Sequence, residues 1–261
     1  METMREIMGF GDNHEPLVII GPGNRKSKMR GIFSTQKSNE GMIRTKEPLT
    51  MDALVLFDTH PDVVAIHAYP RKFIYQEWDR YGPIAEVDHI PEFGVWTIDE
   101  RALYYDVISV LDQDEWRWVE KRTAKIRKAL RNYDAAYNVL DEENILIQPR
   151  MRNLRVMRYH ARHADPAAVI RVREVLRQLG PVTKIGHVSA GAMLPRLEYQ
   201  VFDDDGVIVQ SEVLRTDEAF TALMHLAVMG EVRIDTSKRD LTDETIVRLT
   251  ERFHYLVGGD I

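Results

Sequence analysis

Glu92 and Asp106 stand in two consecutive apolar stretches, "IPEFGVWTI" and "ALYYDVISV", joined by the polar "DER". Alternating apolar residues mark both stretches as strands, and the short polar joint makes them neighbours in one sheet. Two carboxylates on neighbouring strands can hold a divalent cation against a phosphate. Hydrolysis at such a centre also needs a group that orients water and offsets charge, ordinarily a lysine two residues beyond the second carboxylate. Ile108 holds that place, and an isoleucine does neither. The pair therefore has the outline of a nuclease metal centre without its full equipment. Both residues also have plain structural readings: Asp106 as the partner of a basic residue, Glu92 as a solvated carboxylate at a strand start.

Other chemical patterns are weaker. "GPGNRKS" at 21–27 lacks both the GxxxxGK[ST] spacing and a following helix, so it is not a phosphate loop. "GHVSAGAML" sets Ser189 among small residues without a GxSxG turn. His160 and His163 lie far from His67 and His89, and there is neither an HExxH nor a cysteine. That leaves no zinc pattern and no thiol nucleophile.

The elements that must carry these residues follow from periodicity. "GIFSTQKSNEGMIRT" reads as a hairpin around Ser38, Asn39 and Gly41. "EPLTMDALVLFDTHPDV" is predicted to be a helix that begins near Pro48 and ends at Pro61. A bent strand or strand pair, "VVAIHAYPRKFIY", precedes the two strands above. "DEWRWVEKRTAKIRKALRNYD" is an amphipathic helix with Lys121, Arg122, Lys125, Arg127 and Lys128 on its polar side, and "AAYNVL" is a further strand. Helix, mixed strands, helix and strand make an α/β unit. Beyond it, "DPAAVIRVREVLRQ" is a helix with an Asp-Pro start, "DEAFTALMHLAVMG" an apolar helix stopping at Gly230, and "EVRIDTSKRDLTDETIVRLT" a strand, a turn and a closing element. Helices followed by a short β-ribbon suggest a winged-helix module that docks on DNA or protein.

The 261 residues, 44% hydrophobic and 29% charged, suit two domains. Without cysteine there is no disulfide framework, and a cytoplasmic location is expected. The start "METMREIMGFGDNHEP" has no apolar h-region, and no run reaches the roughly 18 apolar residues of a membrane span. A net charge of −6 restricts nucleic-acid binding to local patches. One patch comprises Arg25, Lys26, Lys28, Arg30, Lys37, Arg44 and Lys46, with Glu40 the only acid from 25 to 46. The other, "QPRMRNLRVMRYHARH" from Gln148 to His163, carries Arg150, Arg152, Arg155, Arg158 and Arg162 and no acid. A charge run is often a solvated face, but two such runs in an acidic chain point to an anionic partner, with DNA expected.

In order and spacing these stretches resemble the TnsA-like endonuclease subunits of heteromeric transposases. The resemblance begins at "RGIFSTQKSNEGMIRTKEPLTMDALVLFDTHPDVVAIHAYPRKF" and continues through "IPEFGVWTIDERALYYDVISV". It persists in "YNVLDEENILIQPRMRNLRVMRYHAR" and "LMHLAVMGEVRIDTSKRDLTDETIVRL". It implies a restriction-endonuclease-like mixed sheet flanked by helices at 25–163, after an N-terminal tail at 1–24. A smaller winged-helix-like α+β domain is expected at 164–261. It also implies cleavage of one DNA strand with divalent metal, and here the chain departs from the family. The helix glutamate falls at Thr50, the strand aspartate at Glu92, the next carboxylate at Asp106 and the lysine at Ile108.

Two of four positions are thus lost. The expectation is a degenerate protein that needs no cofactor, with DNA and a protein bound through the C-terminal domain as partners. The alternatives are an active Mg²⁺-dependent endonuclease with relocated ligands and a protein-binding scaffold without DNA contact. In the active alternative Glu92 and Asp106 hold the metal, with Glu47 replacing the lost glutamate and Glu86 or Asp88 leaning in.

Overall fold

A computed structural model describes residues 3–21, 30–79, 81–115, 118–133, 135–194, 196–202 and 208–253. The chain is a mixed α/β protein of two compact units, Met1–Asp58 with Asp62–Ile147, and Thr59–Pro61 with Gln148–Ile261. Among the described residues, no helix is long and apolar enough to cross a membrane.

The first unit opens with α1 (Met4–Ile7), whose Thr3 and Glu6 cap one another's backbone reciprocally. The hairpin β1 (Gly31–Ser34) and β2 (Met42–Thr45) leads into α2 (Pro48–Thr59) and then β3 (Val63–Ala68). A second antiparallel ribbon, β4 (Phe73–Asp79) with β5 (Gly82–His89), leaves the main sheet before β6 (Phe93–Thr97) and β7 (Ala102–Val107) return to it. Next come α3 (Val110–Glu115), α4 (Trp118–Ala129), β8 (Ala135–Leu140) and α5 (Glu142–Ile145). Of the amphipathic helix expected from 114 to 134, residues 114–115 and 118–129 are helical and Leu130–Asn132 tighten into a 3-10 turn, while 116, 117 and 134 lie outside the described residues.

The main sheet runs β3-β6-β7-β8, antiparallel except for the parallel β7–β8 pair. A tight turn suffices between β6 and β7, where Glu100 takes φ 59° and Arg101 N donates to the Thr97 hydroxyl at 3.2 Å. Parallel β8 requires a crossover, which α4 supplies. The core joins Met8, Phe10, Trp96, Tyr104, Ile126 and Tyr137. Within the expected N-terminal tail, Met8 and Phe10 are buried at 2% and 0% exposure, and the Tyr104 hydroxyl donates to Met8 O at 2.7 Å. Gly94 of β6 makes room for this segment, because a Cβ there would lie 2.8 Å from the Phe10 ring.

The second unit contains α6 (Arg150–Ala161), α7 (Pro166–Leu179), β9 (Val182–Lys184), α8 (Ile185–Ala192), the hairpin β10 (Arg196–Phe202) and β11 (Ile208–Asp217), α9 (Glu218–Val228), β12 (Val232–Ile234) and β13 (Ile246–Leu249). Asp165 caps α7, Pro166 opens it and Gly180 at φ 89° closes it, as the sequence signals require. The short sheet runs β12-β13-β9. The division between units falls at Gln148, earlier than the expected 163–164, because Met157 of α6 belongs to the same core as Leu223 and Leu226 of α9.

Candidate functional site

Antiparallel register pairs Phe93 with Tyr105, so Glu92 and Asp106 face one another at the ends of β6 and β7. The Glu92 amide donates to Asp106 Oδ1 at 3.0 Å, and the Val107 amide makes a longer bond of 3.4 Å to Glu92 Oε2. Three further groups converge on Asp106 Oδ2: Arg122 Nη2 at 2.7 Å, the Tyr137 hydroxyl at 2.7 Å and His89 Nε2 at 3.0 Å. Each comes from a different element. Arg122 is on α4, with its guanidinium 4.7 Å from the Trp118 ring centre. Tyr137 is on parallel β8, and His89 ends β5. Alternation along β5 turns His89 inward and Asp88 outward, where Asp88 pairs with Lys72 at 2.9 Å.

The two carboxyls are both buried but differ in charge state. Burial pushes Glu92 up, Lys46 opposes it, the Asp106 charge adds to it, and the group reaches about 7. Burial also pushes Asp106 up, but its His89 bond, the His89 and Arg122 charges and the Tyr137 hydroxyl outweigh this and hold it below the ordinary aspartate value. At neutral pH, therefore, Asp106 is an anion and Glu92 is close to half-protonated.

A cleft of about 270 Å³ opens over the pair, and Lys46, Glu47, Tyr69, Ile108 and Asp112 also line it. Tyr69 takes φ 47°, its ring lies 4.9 Å from Lys46 Nζ, and its buried hydroxyl has no hydrogen-bond partner among the described residues. Burial pushes that phenol well above its ordinary value, as do the Glu92 and Asp106 charges.

Of the residues singled out by sequence, Glu92, Asp106, Glu47, Lys46 and Ile108 meet at this cleft. Thr50 does not line it; it is fully buried and its hydroxyl finds no partner among the described residues. Glu86 and Asp88 are exposed and do not line it either. The expectation of a solvated Glu92 is overturned, because the strand start lies under the cleft walls and leaves Glu92 8% exposed. Asp106 does pair with a basic residue. Sequence reasoning left Arg122, His89 and Tyr137 out of the site.

The basic runs divide. Arg25, Lys26 and Lys28 lie outside the described residues. Arg44 is exposed on β2, Lys37 is half-buried, and Arg30 donates to Gly21 O. Arg150, Arg152 and Arg155 fall on α6 of the second unit, where Arg152 meets Asp240 at 2.5 Å. The run lacks acids in sequence but not in space.

The donor set does not fit a divalent cation at Asp106. Its Oδ2 already receives three donors, one of them a permanent cation, and Oδ1 receives an amide. Glu92 close to half-protonated is a weak second ligand. Among the described residues, no three histidine, aspartate or glutamate side chains are grouped to hold a metal. No protein-family model matches the sequence, and no curated protein matches it.

Proposed function

We propose that this chain is a catalytically degenerate TnsA-like protein that binds DNA, protein partners or both in a transposition, phage or regulatory complex. One observation carries the proposal: Asp106, the carboxylate expected to hold metal, is neutralised by Arg122 at 2.7 Å, with Ile108 beside it where the water-orienting lysine belongs. A centre so arranged neither binds the activating ion nor generates the nucleophile.

The restriction-endonuclease-like reading of the first unit is supported by the order helix, three antiparallel strands, helix and parallel strand. The winged-helix-like reading of the second is supported by the order α7, β9, α8, α9, β12 and β13, with the hairpin β10–β11 inserted between α8 and α9 and β9 pairing outside β13. In this reading the second unit meets protein rather than base edges. Most of α9 is buried, and His225, its one basic residue, bonds Ala161 O instead of facing solvent.

The deciding experiment is incubation of supercoiled plasmid with the purified chain and Mg²⁺ or Mn²⁺. The expected result is no nicking. Cleavage that disappears in Asp106→Ala overturns the degenerate reading and establishes the active alternative. The presence of Lys46 and Glu47 in the same cleft favours those two as its relocated groups. Binding to random DNA that weakens steeply with salt separates the proposal from a scaffold without DNA contact.

A further inference from the structure

We infer that the Arg122 guanidinium is the resident cation of the Asp106 site and closes it to divalent metals. The inference rests on the nuclease-like reading of the first unit and adds to it the group that took the metal's place. Carboxylate oxygens have about two lone-pair positions each. Asp106 Oδ2 meets Arg122 and Tyr137 at 2.7 Å and His89 at 3.0 Å, and Oδ1 takes the Glu92 amide at 3.0 Å. A metal ion needs an oxygen at about 2.0–2.6 Å with its lone pair free, so it must first displace the guanidinium.

Nothing in solution chemistry loosens that guanidinium, because arginine does not deprotonate at any pH the fold survives. Packing does not loosen it either. Trp118 covers it at 4.7 Å, and its side chain is 11% exposed. Its Nε is buried without a hydrogen-bond partner among the described residues, so Asp106 and Tyr137, rather than saturation of its own donors, set its position. Charge balance agrees. Two ionised carboxylates need an external dication, whereas the Asp106 carboxylate paired with Arg122, beside a Glu92 close to half-protonated at neutral pH, leaves less than one negative charge to balance.

The test uses the full chain without DNA, titrated with MnCl₂ while free Mn²⁺ is read by electron paramagnetic resonance. Wild type is expected to leave the free-ion signal unchanged. Arg122→Gln is expected to bind Mn²⁺ at least about tenfold more tightly than wild type, a gain that a further Asp106→Asn removes. Arg122→Met, which keeps an apolar stem against Trp118, is a second variant should Arg122→Gln fail to fold. If neither folds, the wild-type titration decides alone: bound Mn²⁺ that is lost in Asp106→Asn overturns the inference, and its absence sustains it. A folded Arg122 variant that binds no more tightly than wild type also overturns it. Mn²⁺ held by wild type and lost in Asp106→Asn, without plasmid nicking, defeats this inference and leaves the degenerate-nuclease reading standing. Nicking that survives Asp106→Asn defeats that reading and leaves the inference intact.

Discussion

Glu92 titrates near 4.5 when unfolded and at about 7 in the fold, chiefly through burial. Between those values the folded chain holds a proton that the unfolded chain has released, so stability falls as pH rises from 4.5 to 7. The loss is complete above 7 and amounts to about 3 kcal/mol. Glu92→Gln keeps the neutral shape and removes the loss, so the variant should gain about 2–3 kcal/mol more over wild type at pH 8 than at pH 5 in urea melts. An equal gain at both pH values would contradict the buried, proton-binding state. Asp106 behaves oppositely: its depressed value stabilises the fold above pH 3.8, and that contribution fades as acid protonates it. Asp106→Ala leaves Arg122 buried without its counter-ion, a loss of about 3–5 kcal/mol that Asp106→Leu with Arg122→Met should largely recover. Glu92 and Asp106 were legible in the sequence because strand alternation and a short joint place them opposite one another. Arg122 was not. Among the basic residues of α4 it looks like one more solvated side chain, and only the seating of the helix on the sheet decides which of them turns inward.

Elements with their own punctuation were equally legible, and those defined by packing were not. Asp165, Pro166 and Gly180 bound α7 by local chemistry, so its limits could be read directly. Helix α6 was read as a basic run because its arginines interrupt the apolar residues that seat it, among them Met151 and Met157, both buried. Its fixed point is Asn153, 2% exposed, whose amide donates to Thr236 O at 2.8 Å and Arg239 O at 2.7 Å while its oxygen accepts from Leu241 N at 3.2 Å. Such a clamp joins a helix to a loop more than 80 residues later, beyond any spacing rule. Asn153→Ala strands two carbonyls and an amide and should cost about 1–3 kcal/mol. Hydrogen exchange is expected to speed up at the Leu241 amide while the β12 and β13 amides keep their protection. Unchanged exchange at Leu241 would show that the loop is held by other contacts.

At the scale of the whole molecule, a chain of net charge −6 meets DNA through patches or not at all. Two exposed arginines of the second basic run, Arg152 and Arg155, are on α6. Arg152 there shares a solvent-exposed contact with Asp240, and such pairs are worth little, so phosphate can compete for it. Each phosphate neutralised releases condensed counter-ions, which makes log affinity fall linearly with log salt at a slope of about −0.9 per contact. Replacing Arg150, Arg152 and Arg155 with glutamate should therefore weaken retention of random duplex DNA and reduce that slope by up to about 3. Charge reversal also makes the whole chain more acidic, so the control must carry the same change elsewhere. Lys121→Glu, Lys128→Glu and Arg131→Glu, all exposed on the first unit, provide it. If α6 is the DNA face, the α6 variant loses both affinity and slope while the control loses affinity alone. Equal salt slopes in the two variants would mean that α6 makes no phosphate contacts, and retention unchanged in both would remove DNA from the proposed partners.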